Sequence, residues 1–191
     1  MENNIVFYDF DNTLYNGDSM YDFFIHVHGK PKFYMLFLIF ILKEVFLNNR
    51  ILSPSKESFL NTMRADISPS VLKEHAVSFF RKNKNKINRT AKKDIMTYKN
   101  KSYKTMILTA SLDIWVKPFA DFLKMELIST AYKIDDNNNI IVLSNTKGER
   151  KTKEVKRIIK DGKYKEIVAY GDSKSDLCLK EVTTRFYYRE Y

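Results

Sequence analysis

Two short acidic segments carry the residues best suited to chemistry in this 191-residue chain. Asp9-Phe10-Asp11-Asn12-Thr13 lies near the start and Gly171-Asp172-Ser173-Lys174-Ser175-Asp176 near the end. A carboxylate nucleophile and a phosphoryl group are both negative, and they repel unless a cation lies between them. Asp9 and Asp172 are expected to bind such a cation, with Asp11 and Asp176 completing the acidic set. Hard oxygen donors favour Mg2+, which keeps several of its waters. Asp9 is then placed to attack phosphorus and form an aspartyl-phosphate. Asp11, two residues on, can protonate the leaving oxygen and later take a proton from the attacking water. Asp176, four residues after Asp172, is expected to hold metal-bound water or to orient a lysine.

The transferring group needs further charge compensation. Thr109, in Thr109-Ala110-Ser111, can donate a hydrogen bond to a phosphate oxygen, and a lysine can balance Asp9. Lys147 and Lys151 lie one helical turn apart, so both can face one site. Ser111 and Asp18 each have two readings. Ser111 either touches substrate or caps the helix after it. Asp18 either reads the substrate or caps the first helix that follows. His26 and His28, two apart, do not share a helix face and are read as ordinary helix residues. Cys178 is read as a small core residue.

These residues need a scaffold to bring them together. Residues 4–9, 104–109 and 166–170 are short apolar runs rich in β-formers, each ending at or beside a candidate site residue. Helical patterns follow at 112–124 and 174–181, and another at 149–161 precedes the third run. Strands alternating with helices predict an α/β fold with a parallel sheet. In such sheets ligands bind outside the carboxyl ends of the strands, where the acidic clusters, Thr109 and the lysines would meet. Residues 131–143 read as a hairpin around Asp135-Asp136-Asn137-Asn138-Asn139, and 184–189 as one more edge strand. From 15 to 100 there is no clear strand. Five helices are expected there, at 18–28, 31–48, 55–64, 68–83 and 86–100, broken at Gly29-Lys30-Pro31, Ser53-Pro54 and Ser68-Pro69. The expected organisation is a core of residues 1–14 and 101–191 with a helical cap, 15–100, inserted after the first strand.

Asp-Phe-Asp-Asn-Thr-Leu (9–14) resembles the first signature of the haloacid dehalogenase superfamily. Met-Ile-Leu-Thr (106–109), the helix-start lysine and Gly-Asp-Ser-Lys-Ser-Asp (171–176) resemble its second, third and fourth, in the family's order. A helical block between the first two signatures resembles the phosphoserine-phosphatase-like branch. The resemblance implies a Rossmann-like core with an all-helical cap and a Mg2+-dependent phosphatase. Some relatives of this kind act on phosphatidylglycerol phosphate. Family members tend to carry apolar residues four, seven and eight positions after the lysine. Val155, Ile158 and Ile159 stand in that relation to Lys151, which is therefore favoured over Lys147. Aspartate at both 9 and 11 argues against carbon–halogen cleavage, but it is shared with phosphotransferases and mutases. A non-catalytic, phosphate-binding relic of the fold is the remaining alternative.

Composition bounds the partners. One cysteine excludes an internal disulfide framework and fits a reducing compartment. The N-terminal segment does not read as a signal peptide, so a cytoplasmic protein is expected. The net charge of +10 suits an anionic substrate or surface, and equally a lysine-rich proteome. Phe33 to Leu42 is an unbroken apolar run, too short to span a bilayer. It suits either a buried cap helix or contact with a membrane or a lipid substrate. Residues 81–104 carry ten Lys or Arg against one acid, Asp94, either as a solvated helix face or facing an anionic membrane surface. The expected partner is a phosphorylated small molecule or a lipid phosphate, with peripheral binding at the inner face of the membrane in the second case. No nucleic acid is expected, since no supporting motif accompanies the charge.

Overall fold

β1 (Asn3–Tyr8) carries the β-branched and aromatic run Ile5 to Tyr8 and emerges as a central strand. The computed structural model describes residues 3–47, 55–65, 67–161 and 164–191. After β1 come helices α1 (Ser19–His28) and α2 (Lys30–Leu42), the latter continued by a π-helical turn at Lys43–Leu47. α3 (Lys56–Arg64), α4 (Pro69–Asn83) and α5 (Arg89–Asn100) complete the helical insertion. The chain then runs through β2 (Lys104–Leu108), α6 (Asp113–Leu123), β3 (Glu126–Ile128), β4 (Ala131–Ile134) and β5 (Ile140–Ser144). It ends with α7 (Glu149–Asp161), β6 (Tyr164–Gly171), a 3-10 helix at Lys174–Glu181 and β7 (Arg185–Tyr188).

Five strands form one parallel sheet in the order β3-β2-β1-β6-β7, and β4 and β5 pair as an antiparallel hairpin. Tyr8 lies opposite Ile107 on β2 and Tyr170 on β6, so the residues after all three strands leave the same edge of the sheet. A tyrosine ladder reinforces that register. Tyr8 stacks on Tyr170 and Tyr170 on Tyr187, each with ring centroids 4.7 Å apart. The fold is therefore the expected α/β sheet with a helical insertion.

Both faces of β1 are buried, which explains its continuous apolar sequence. Ile5 and Phe7 pack on one face with Met106, Leu108, Val155 and Leu179. Val6 and Tyr8 face the larger cluster, which contains Phe23, Phe24, Phe59, Phe79, Trp115 and Phe119. That cluster runs without a break from the sheet into the insertion. α5 lies at the sheet end of it, with Ile95 buried and the Tyr98 and Tyr170 hydroxyls 3.0 Å apart.

The helix starts follow from local chemistry. Asp18, Ser55, Ser68 and Asn88 each cap a helix by accepting backbone N–H bonds, and proline opens α2 and α4. The expected break at Ser53-Pro54 and residue 48 of the expected second helix lie outside the described residues. Two elements differ from expectation. β3 has three residues and a glutamate, too little pattern to mark a strand, and pairing with β2 creates it. The helix expected to continue to 48 changes pitch at Lys43, where the side chain of buried Glu44 accepts the Ser55 N–H at 2.8 Å.

Candidate active site

Asp9 follows β1 directly, and its N–H bonds the Tyr170 carbonyl at 2.9 Å. The side chain is buried, as is that of Lys151 on the first turns of α7. Lys151 Nζ donates to Asp9 Oδ1 and to Asp176 Oδ1, both at 2.6 Å. Burial opposes the lysine's charge, but the two aspartates outweigh it and its pKa lies above the ordinary value. Burial pushes the Asp9 carboxyl up to about 7 despite the opposing pull of Lys151.

Asp176 is fully buried, and its second oxygen accepts Ser173 N–H at 3.1 Å and Ser173 Oγ–H at 2.6 Å. The 3-10 helix thus begins with a reciprocal capping arrangement that locks this aspartate. Gly171 makes room for it. A Cβ at position 171 would lie 2.7 Å from the Asp176 Cβ. The glycine of Gly-Asp-Ser-Lys-Ser-Asp is there because the acid needs its space.

Asp9, Asp172 and Asp176 each offer a carboxylate oxygen, all within 4.8 Å of one another. Asp172 is half-buried, and burial followed by the Asp176 charge holds its pKa above the usual range. Three convergent carboxylates against a single buried ammonium leave excess negative charge, and their hard oxygens fit Mg2+. The side chain of Asp11, expected in the metal set, lies outside this group. Its Oδ1 accepts the Ser19 N–H at 2.6 Å, and its Oδ2 accepts the Ser111 hydroxyl at 2.7 Å.

Ser111 therefore orients Asp11. It does not cap α6, whose cap position is Leu112. Thr109 is fully buried, and its Oγ1 accepts the Ser111 N–H at 3.0 Å. Asp18 caps α1 through Met20 N and Tyr21 N, as one of its two readings expected, and it also lines the pocket. Burial and then Asp11 raise its pKa. Lys147, exposed, lines the same pocket as Lys151 without contacting Asp9. The histidines do not converge on a site: His26 Nε2 meets Ser78 Oγ and His28 Nε2 the Met63 carbonyl, each at 2.6 Å. Cys178 Sγ donates to the Ser175 carbonyl.

The sequence reading missed two participants. Ser19 joins the insertion to the core: its N–H holds Asp11 and its Oγ accepts the Trp115 indole N–H at 3.0 Å. Lys56, the first residue of α3, reaches across to the Ala110 carbonyl, Thr130 Oγ1 and Asn145 Oδ1. Burial lowers its pKa to about 8. Helix-capping signals on their N-terminal sides, Asp18 and Ser55, fix where both residues start a helix. Nothing local marks their contact with the core. Met20, Tyr21, Phe40 and Phe59 add an apolar wall to the pocket.

The fold is shared with several solved structures. A protein of unknown function from Bordetella pertussis Tohama I superposes with a TM-score of 0.79 at 21% identity, over 97% of this chain and 89% of that one. A phosphoserine phosphohydrolase-like protein from Francisella tularensis subsp. tularensis SCHU S4 gives 0.62 at 21% identity, over 97% and 86%. A phosphoserine phosphatase captured as a phospho-aspartyl intermediate analogue gives 0.54 at 16% identity, over 98% and 94%. No curated protein matches the chain by sequence. The profile of the haloacid dehalogenase-like hydrolases matches residues 6–181, a span holding every acid, lysine and hydroxyl described above, and the chain belongs to that family.

Proposed function

We propose that this chain is a Mg2+-dependent phosphatase that hydrolyses a phosphomonoester through phosphorylation of Asp9. The observation that carries this reading is the Lys151 ammonium bridging Asp9 and Asp176, with a second carboxylate, Asp11, held apart two residues on. Asp9 and Asp172 would hold the metal, with Asp176 behind them; when bound, Mg2+ supplies positive charge between carboxylate and phosphoryl group.

An Asp9 oxygen forms the new bond to phosphorus as the ester P–O bond breaks. The leaving oxygen takes a proton from Asp11. In the second half, water attacks phosphorus and gives its proton to Asp11, the Asp9–phosphorus bond breaks, and inorganic phosphate leaves. Ser19 and Ser111 keep the Asp11 carboxylate aimed through both halves. Lys151 offsets charge on Asp9 and the transferring group, while Thr109, tied to Ser111, shapes the turn beside it and offers its hydroxyl to a phosphate oxygen. Residues 15–100 act as the cap that selects substrate. Lys56, Lys147 and Asp18 meet whatever the phosphate is attached to.

A second reading takes a lipid phosphate as substrate. The apolar wall of Met20, Tyr21, Phe40 and Phe59 favours it, because acyl or other apolar parts of a substrate would be removed from water against such a surface.

The test is phosphate release from a panel of phosphoserine, sugar phosphates, nucleotides and a lipid phosphate, with Mg2+ and with chelator. Turnover that needs Mg2+ and disappears in Asp9→Asn supports the proposal. Full activity in Asp9→Asn overturns the covalent route.

A further inference from the structure

We infer that the outer face of α2 and of the π-helical turn after it docks into the interface of an anionic lipid bilayer. Tyr34, Met35, Leu38, Ile41, Leu42 and Phe46 are all exposed, Leu38 at 58% and Phe46 at 76%. At 3.6 residues per turn the five of these on α2 cover one arc of roughly 120°, and Phe46 follows on the π-helical turn. Phe33, Leu36 and Phe40 occupy the opposite arc and are buried, Phe40 with its ring centroid 5.2 Å from that of Phe59. A helix apolar on every side belongs inside a protein or in lipid. Here only one side is inside the protein, and the exposed remainder is continuous.

The charges identify the occupant. Lys30, Lys32 and Lys43 are exposed, and helical spacing puts Lys32 and Lys43 on one border of the arc and Lys30 on the other. The only acid between 30 and 46 is Glu44, which is 2% exposed and turned inward to Ser55. An apolar face rimmed by ammonium groups matches anionic headgroups above an acyl layer. The same rim disfavours a second copy. A two-fold contact would press the identical lysine-bordered face against itself, with no exposed acid in the segment to pair with it.

The face lies on the bilayer and does not cross it. Among the described residues no single helix is long and apolar enough to span, and α1, bent 118° from residues 30–46, is held in the core through Ser19, Phe23 and Phe24. The inference is independent of the reaction proposed above, since none of the exposed residues that form the face lines the pocket.

Flotation of the full chain through sucrose tests it, with phosphatidylcholine vesicles alone and with phosphatidylglycerol added. The wild type is expected to rise with the anionic vesicles only. Leu38→Glu combined with Phe46→Glu should lower the bound fraction at least about tenfold with an unchanged melting temperature. Phe46→Trp should show a blue-shifted emission on anionic vesicles. A wild type that stays at the bottom with anionic vesicles overturns the inference. So does a double variant that floats equally well, or a lipid-free dimer that the double variant dissociates while neither protein floats.

Discussion

Lys151 Nζ lies 2.6 Å from Asp9 Oδ1, joining residues 142 positions apart in a buried ion pair. The same ammonium holds Asp176, so its removal leaves two buried carboxylates facing each other. Breaking one side of a buried pair costs about 3–5 kcal/mol, and losing a charge-stabilising donor in an active site costs about 10²–10³-fold in kcat. Lys151→Met should show both losses, read by urea unfolding and by phosphate release. Lys147→Met, at an exposed position, should leave stability unchanged. Equal loss of stability in the two variants would remove Lys151 from its assigned place.

Gly171→Ala should destabilise without touching any reacting atom. The added methyl meets the Asp176 Cβ at 2.7 Å, and overpacking of this kind costs about 1–3 kcal/mol. Displacing Asp176 also displaces Lys151, so turnover should fall along with the melting temperature. A variant as stable and active as the wild type would mean that Asp176 is free to move.

Ser111→Ala should lower kcat and leave KM nearly unchanged. It removes one of two donors to Asp11 while Ser19 N–H keeps the other. A hydrogen bond to a charged group contributes about 1.5–3 kcal/mol, so the expected loss is roughly tenfold or more. Ser111→Thr, which keeps the hydroxyl, should recover part of it. A rise in KM alone would instead assign Ser111 to substrate binding.

Lys56 gives the pocket a pH signature. Its pKa falls from 10.5 to about 8, so its positive charge is lost in the folded protein above about pH 8. KM for an anionic substrate should rise through that pH in the wild type, and be high and flat in Lys56→Met. Stability moves the other way. The unfolded chain binds the proton more tightly than the folded one between about pH 8 and 10.5, so this lysine's contribution to stability rises across that window. Lys56→Met should lose that rise in denaturant melts. Identical KM profiles would show that Lys56 only joins α3 to the loops around Ala110, Thr130 and Asn145.

Much of the candidate site is legible in the sequence because the carboxylates and the threonine that form it stand in short motifs at strand ends. Asp9, Asp11, Thr109 and Asp172 each sit within a few residues of a strong β pattern, and the parallel sheet brings such ends to one edge. Lys151 is preferred to Lys147 only through the family resemblance, which implies apolar residues four, seven and eight positions after the lysine, where Val155, Ile158 and Ile159 stand; Val155 is buried on the sheet. Ser19 and Lys56 are illegible for the opposite reason. Their partners, Asp11 and Ala110, are fixed by how the insertion docks, and docking leaves no periodic trace. The segment from Phe33 to Leu42 is apolar on all sides, so its pattern cannot say which side is buried. Packing of Phe33, Leu36 and Phe40 on α1 and α3 decides that. β3 is invisible because a three-residue strand owes its existence to its neighbour.

Trp115 is the chain's single tryptophan, and its indole N–H is bonded to the serine whose own N–H holds Asp11. The protein thus carries a built-in fluorophore at the joint between insertion and core. Its ring also stacks on Phe23 of α1, with centroids 5.3 Å apart. Any movement that lifts α1 away, whether to admit a substrate or to release phosphate, strips the indole of both contacts. Stopped-flow emission from unlabelled protein would then report any such movement directly.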